Sequence, residues 1–155
     1  MKRISIGFFI LFIASLVFTA CQENVYMDWK LTNEKWYAVH KLDTGFVTTS
    51  TGLCYRYVFH GSPYGRQPKP TSSILVSYKG TLVDGYVFDK AVSPVGLTLS
   101  GTIAGWREIL PKMHTGDSII LYVPSALAYD TATTNVKIPP HSVLIFNIGL
   151  HDSMY

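Results

Sequence analysis

Val76-Ser-Tyr-Lys-Gly-Thr-Leu-Val-Asp-Gly-Tyr-Val-Phe-Asp89 reads as two extended runs joined by a turn. Ile74, Val76 and Tyr78 recur at every second position, the period of a strand with one buried face. Val83-Asp84-Gly85 is turn chemistry, and Tyr86-Val87-Phe88 returns to extended structure. The same period holds on either side. Leu53, Tyr55, Tyr57 and Phe59 alternate with Cys54, Arg56, Val58 and His60. Gly61 to Gly65 and Gln67 to Pro70 are loop sequences. Leu97 and Leu99 predict a further short strand, Ile119 to Val123 another, and Leu144, Phe146, Ile148 and Leu150 a last one. Gly116-Asp117 predicts a turn, and Ser125 to His141 a long connection.

One segment breaks the period. Ile103, Trp106, Ile109 and Leu110 have helical spacing, and Pro111 cannot continue that helix. Four to six strands against one short helix predict an α+β domain with an antiparallel sheet.

The 155 residues fit one domain, expected over 46–155. Hydrophobic residues make up 48% and charged residues 15%, with mean hydropathy +0.21. That excludes disorder. Met1-Lys2-Arg3 followed by the uncharged run Ile4 to Ala20 predicts an export signal over 1–20, with an uncleaved anchor helix as the alternative. Without Lys2 and Arg3 the formal charge falls from +3 to +1, which argues against a nucleic-acid partner. Two cysteines exclude a disulfide scaffold and a four-thiolate zinc site. Residues 21–45 are expected to form a tether, with Asp28 capping a helix from Trp29 to Leu42. Such a helix suits a packed arm, a spacer or a dimerisation element.

Phosphate-binding loops and a nucleophile elbow are lacking. The histidines at 40, 60, 114, 141 and 151 include no pair at helical ligand spacing, so neither a metal nor a cofactor is expected. Cys54 suits a small buried hydrophobe better than a nucleophile. Asp89 fits a turn carboxylate and a functional one equally well. Tyr78, Phe88, Trp106, Tyr129 and Phe146 fall on five separate elements. They suit either a core or an apolar, concave ligand site.

Two resemblances narrow these options. Phe18-Thr19-Ala20-Cys21 resembles the bacterial lipobox, with Phe18 where an aliphatic residue is usual. It implies lipidation of Cys21, such as palmitoylation, and a lipid-anchored protein of the bacterial cell envelope, at the outer membrane and facing the periplasm. The stretch Val76 to Asp89 resembles the signature of FKBP-type peptidyl-prolyl cis-trans isomerases. Leu97 to Leu110, Leu121 to Tyr129, Ile138 to Phe146 and Ser50 to Tyr55 are similar to that family's other segments, in order, over about residues 50–152.

The family resemblance implies a twisted antiparallel sheet wrapped around the short helix, with a pocket between them. It implies isomerisation of X-Pro bonds in client chains, in aid of folding. A non-catalytic chaperone or binding module on the same fold, or a structural lipoprotein, is the alternative. A macrolide such as rapamycin is a candidate ligand. By the same resemblance Trp106 is the pocket floor, and Tyr78, Phe88, Phe146 and Ile138 are its walls. The Ile103 N–H and the Tyr129 hydroxyl donate to substrate carbonyls, and Asp89 is the polar group at the rim. The sequence departs from the pattern at Thr102, at Val95 where an aromatic wall is common, at Asp130 where Gly is usual, and in the glycine-poor loop 130–137. Val95 implies a shallower pocket.

Overall fold

The computed structural model describes residues 26–131 and 137–154. Six strands form one antiparallel sheet: β1 (Val47–Thr48), β2 (Cys54–Phe59), β3 (Ser73–Thr81), β4 (Val87–Thr98), β5 (Ser118–Val123) and β6 (Leu144–Met154). Their spatial order is β1-β2-β5-β6-β3-β4. The period-two expectation for 74–78 and 144–150 holds. Ile74, Val76, Leu144, Phe146, Ile148 and Leu150 are all buried, on the face that forms the core.

Two helices belong to the described chain. α1 covers residues 26–40 and α2 is Ala104–Ile109, extended by a 3-10 turn over Leu110–Lys112. A six-residue helix is too short to be stable alone. α2 is held because Trp106, Ile109 and Leu110 all enter the core beside Leu53, Leu121 and Val123. Gly105 lets the helix backbone reach the sheet: a Cβ there would lie 2.8 Å from Val123 Cγ1.

Two expectations need correction. Leu97 and Leu99 do not mark a separate strand. β4 runs unbroken to Thr98, and Leu99 opens a 3-10 turn. Pro94 is accommodated inside β4 because that strand is an edge, paired only with β3. Asp28 is not a cap, since it lies within α1, where its carbonyl accepts from Thr32 Oγ1 at 2.9 Å.

α1 is a packed arm. Trp29 Nε1 donates to Ser142 Oγ at 2.9 Å, and Asn33, 1% exposed, accepts from Val143 N at 2.7 Å and donates to the Trp29 carbonyl at 2.8 Å. Trp36 meets Tyr122 edge-on at 4.9 Å, and the Tyr37 hydroxyl donates to the Gly52 carbonyl. Cys21 and the signal segment lie outside the described residues. Cys54 is fully buried, and burial pushes its thiol pKa up, in keeping with a packing role.

Docking of α1 by Asn33 is testable. Asn33→Ala strands the buried Val143 N–H and should lower stability by about 1–3 kcal/mol in urea unfolding. An unchanged midpoint would mean that α1 is not part of the folded unit.

Candidate functional site

The concave face of the sheet does not close over α2. A cavity of about 480 Å³ opens between them, lined in part by Tyr78, Phe88, Trp106, Tyr129 and Phe146. Five elements converge there. β3 supplies Tyr78, the start of β4 Phe88 and Asp89, α2 Trp106, the loop after β5 Tyr129, and β6 Phe146.

Trp106 is 4% exposed, and what it exposes faces this cavity. Tyr78 and Phe146 both meet it edge-on, with centroids 5.3 Å away and ring planes at 84° and 76°. Phe88 in turn meets Phe146 at 5.5 Å and 90°. Edge-to-face contacts of this kind hold rings in defined positions. The indole N–H has no partner among the described residues. The floor is therefore a ring held in place by its neighbours, open on one side, with its N–H unpaired among the described residues.

Gly80 makes the walls fit. A Cβ at Gly80 would lie 2.5 Å from Phe88 Cζ and 2.9 Å from Phe146 Cε1. Both rings rest on the bare backbone of β3, which leaves no room for a side chain.

Polar groups ring the mouth. The Tyr78 hydroxyl donates to Asp89 Oδ2 at 2.7 Å, and Asp89 Oδ1 accepts from Lys90 N at 2.8 Å. Burial raises the Tyr78 pKa to about 12, aided by the hydrogen bond to Asp89 and by its charge. Tyr78 thus remains a donor fixed to Asp89. Ile103 sits just before α2 in an extended conformation. Its carbonyl accepts from the amides of Trp106 and Arg107, while its own N–H donates to no described residue. The Tyr129 hydroxyl is likewise without a described partner, on a side chain 41% exposed.

Eight of the ten pocket residues expected from the sequence line the cavity: Tyr78, Phe88, Asp89, Thr102, Ile103, Trp106, Tyr129 and Phe146. Val95 and Ile138 do not. Ile138 is 3% exposed within the core. Val95 packs partly buried against the core, and the cavity wall from that end of β4 is Leu97. The pairing of β4 with β3 is interrupted before that point. Val76 pairs with Val95 but Tyr78 with Ala91, so β4 carries extra residues between 91 and 95. Counting along the sequence from Asp89 cannot locate that shift. Arg107 was also missed; it lines the cavity and donates to the Thr102 carbonyl, bracing the turn that presents Ile103.

Asp130 adopts φ +49°, so the backbone keeps the left-handed conformation suited to glycine, which Asp tolerates better than most residues. Its N–H donates to the Ser125 carbonyl at 2.8 Å, and its carbonyl accepts from His141 N at 2.8 Å. The loop carrying Tyr129 is closed by these bonds. Residues 132–136, the rest of the glycine-poor segment, lie outside the described residues.

The family model for FKBP-type peptidyl-prolyl cis-trans isomerases matches residues 64–151, more than half of the chain. The chain belongs to this family. The FKBP-type isomerase FkpA of Escherichia coli K12 is 41% identical over 113 residues, which is 71% of this chain and 41% of that protein. The outer membrane protein MIP of Legionella longbeachae is 35% identical over 124 residues, 78% of this chain and 52% of that one. The chain therefore spans about half, or less, of the length of these curated relatives. The crystal structure of Escherichia coli FkpA superposes with a TM-score of 0.84 at 32% identity, covering 99% of this chain and 73% of that one. The FKBP fold expected from the sequence is the one observed.

Two outcomes follow from the geometry of this FKBP site. In an absorbance titration at alkaline pH, the difference between wild type and Tyr78→Phe should isolate one phenol with a midpoint near 12. Because the folded state favours the protonated phenol, its stabilising contribution is complete below the ordinary tyrosine pKa of about 10 and is lost as the pH rises through about 12. Gly80→Ala should displace Phe88 and Phe146 and weaken binding of any ligand that rests on Trp106. An unperturbed aromatic NMR spectrum in that variant would contradict the packing.

Proposed function

We propose that this chain catalyses cis-trans isomerisation of X-Pro peptide bonds in client polypeptides. One observation carries the proposal: the Trp106 ring lines one cavity with two donors without described partners, the Ile103 N–H and the Tyr129 hydroxyl.

The chemistry matches such a site. Rotation about the imide bond faces a barrier of about 18–20 kcal/mol from amide resonance. No covalent bond breaks, so no nucleophile is needed. As the bond twists, resonance is lost and the carbonyl becomes less polar. An apolar cleft therefore disfavours the planar, polar ground state more than the twisted one, which is a differential effect on rate. A proline ring on Trp106, between Tyr78, Phe88 and Phe146, is immobilised by shape. Carbonyls of the bound chain accepting from Ile103 N–H and Tyr129 O–H hold one side of the bond while the other turns. Asp89, engaged by Tyr78, borders the ring with a carboxyl oxygen. Each tenfold acceleration needs about 1.4 kcal/mol, a scale reached by one ring buried and two hydrogen bonds closed.

We also propose a cell-envelope setting with Cys21 as a lipid anchor. Its supports are the lipobox-like Phe18 to Cys21 and the name of one relative as an outer membrane protein. The cavity is also the place for a macrolide such as rapamycin.

The test is exchange NMR on a Pro-containing peptide with the full chain. Wild type should speed interconversion. Tyr129→Phe, which removes one exposed hydroxyl, should slow the catalysed rate by about two- to tenfold. Trp106→Leu should lose about tenfold or more, with circular dichroism confirming the fold. Binding of unfolded chains with no acceleration by wild type would leave a non-catalytic chaperone.

A further inference from the structure

α1 is amphipathic in an unusual sense. The face turned to the domain carries Trp29, Asn33, Trp36 and Tyr37, which spend their polar atoms or ring edges on the sheet and its loops. The aliphatic residues are turned away from the domain, all but Val39, 64% exposed on the flank, in one row. Met27 is 63% exposed, Leu31 48% and Leu42 79%, with Ala38 exposed between them. At 100° per residue Met27, Leu31 and Ala38 fall within an arc of about 40°, opposite the docked face. Leu42 follows in the turn after the helix, held by Lys41 N to the Tyr37 carbonyl at 3.0 Å and Leu42 N to the Val39 carbonyl at 3.1 Å.

Lysines border the stripe. One margin holds Glu34 with Lys41 and Lys30 beyond it, Glu34 paired to Lys30 at 3.9 Å, and the other holds Lys35 with Asp28 beyond it, so each acidic group has a lysine on its side of the stripe. Aliphatic residues in a row, edged by long cationic side chains that can lay their stems on the apolar surface, are the pattern of a helix lying in a lipid interface. No helix among the described residues is long and apolar enough to cross a membrane, so the geometry is tangential.

Chain length supplies the occupant. Only five residue steps separate Cys21 from the start of α1, at most about 18 Å of extended chain. A lipid-bearing Cys21 therefore keeps α1 within reach of the headgroups.

We propose that the outward face of α1 (Met27, Leu31, Ala38 and Leu42) rests in the membrane interface beside the anchor. This rests on the lipid-anchor proposal for Cys21. It makes α1 a platform, docked to the isomerase domain on one side and to lipid on the other. The domain is then held at a set orientation instead of swinging on a tether.

The experiment uses the full chain purified from membranes and placed in vesicles of three parts phosphatidylethanolamine to one part phosphatidylglycerol. Intact mass first shows whether Cys21 carries acyl groups. Leu31→Cys is then nitroxide-labelled; Cys54, fully buried, does not compete for the label. Accessibility to oxygen and to a water-soluble nickel chelate is compared with a label at Val92→Cys, a site 83% exposed on β4. The oxygen-to-nickel ratio at position 31 should exceed that at 92 by about fivefold or more, as for a side chain below the headgroups. An acylated chain whose position 31 is as open to nickel as position 92 overturns the platform and leaves the anchor standing. Dipolar broadening between labels at 31, showing a second copy on the stripe, also overturns it. If the mass shows no acyl group, the anchor proposal falls. The same measurement on Cys21→Ser with excess lipid then decides the helix face: a buried label upholds it and a nickel-accessible label overturns it.

Discussion

The molecule depends on a run of four rings set edge to face. Tyr78 and Phe146 both abut Trp106, and Phe88 abuts Phe146. Each contact adds about 0.5–1.5 kcal/mol beyond the area it buries. Their larger effect is positional. The rings come from β3, β4, α2 and β6, so the same contacts that fix the short helix against the sheet also set the shape of the cavity. Core and site are one object: the cavity is the part of the core that the sheet leaves uncovered. Gly80 is the backbone condition for this, because the two phenylalanine rings occupy the space its side chain would fill.

Hydrogen bonds carry this rigidity outward from the rings. Arg107 braces the Thr102 carbonyl next to Ile103. Asp130 ties the Tyr129 loop to Ser125 behind it and to His141 ahead of it. The adjoining Ser142 and Val143 are in turn held by Trp29 and Asn33 of α1. The lip of the pocket and the N-terminal helix thus share one connected set of bonds. An arm that looks accessory in sequence is structurally continuous with the segment that positions Tyr129.

Strand alternation showed the sheet because each of its central strands buries one face, as Ile74, Val76, Ile148 and Leu150 do. The site was legible because its aromatic residues stand at motif spacings that no insertion disturbs. Two features defeated residue counting. β4 carries two extra residues between 91 and 95, and the cavity wall from that end of the strand is Leu97 and not Val95. Ile138 lies in the core, away from the cavity wall. The docking of α1 was hidden for another reason. Its docked face is aromatic and polar and its exposed face mixes aliphatic with charged residues, so hydrophobic periodicity alone does not single out the docked side.

The central claim is that the indole of Trp106 is the seat of a proline ring. Intermolecular NOE measurement on the full chain with a saturating Ala-Pro-containing peptide tests it most directly. The account expects contacts between the prolyl ring protons and the Trp106 ring, prolyl resonances moved upfield by the surrounding aromatic rings, and a shifted Ile103 amide. Contacts confined to some other surface, with the Trp106 and Ile103 resonances unmoved at saturation, would contradict it.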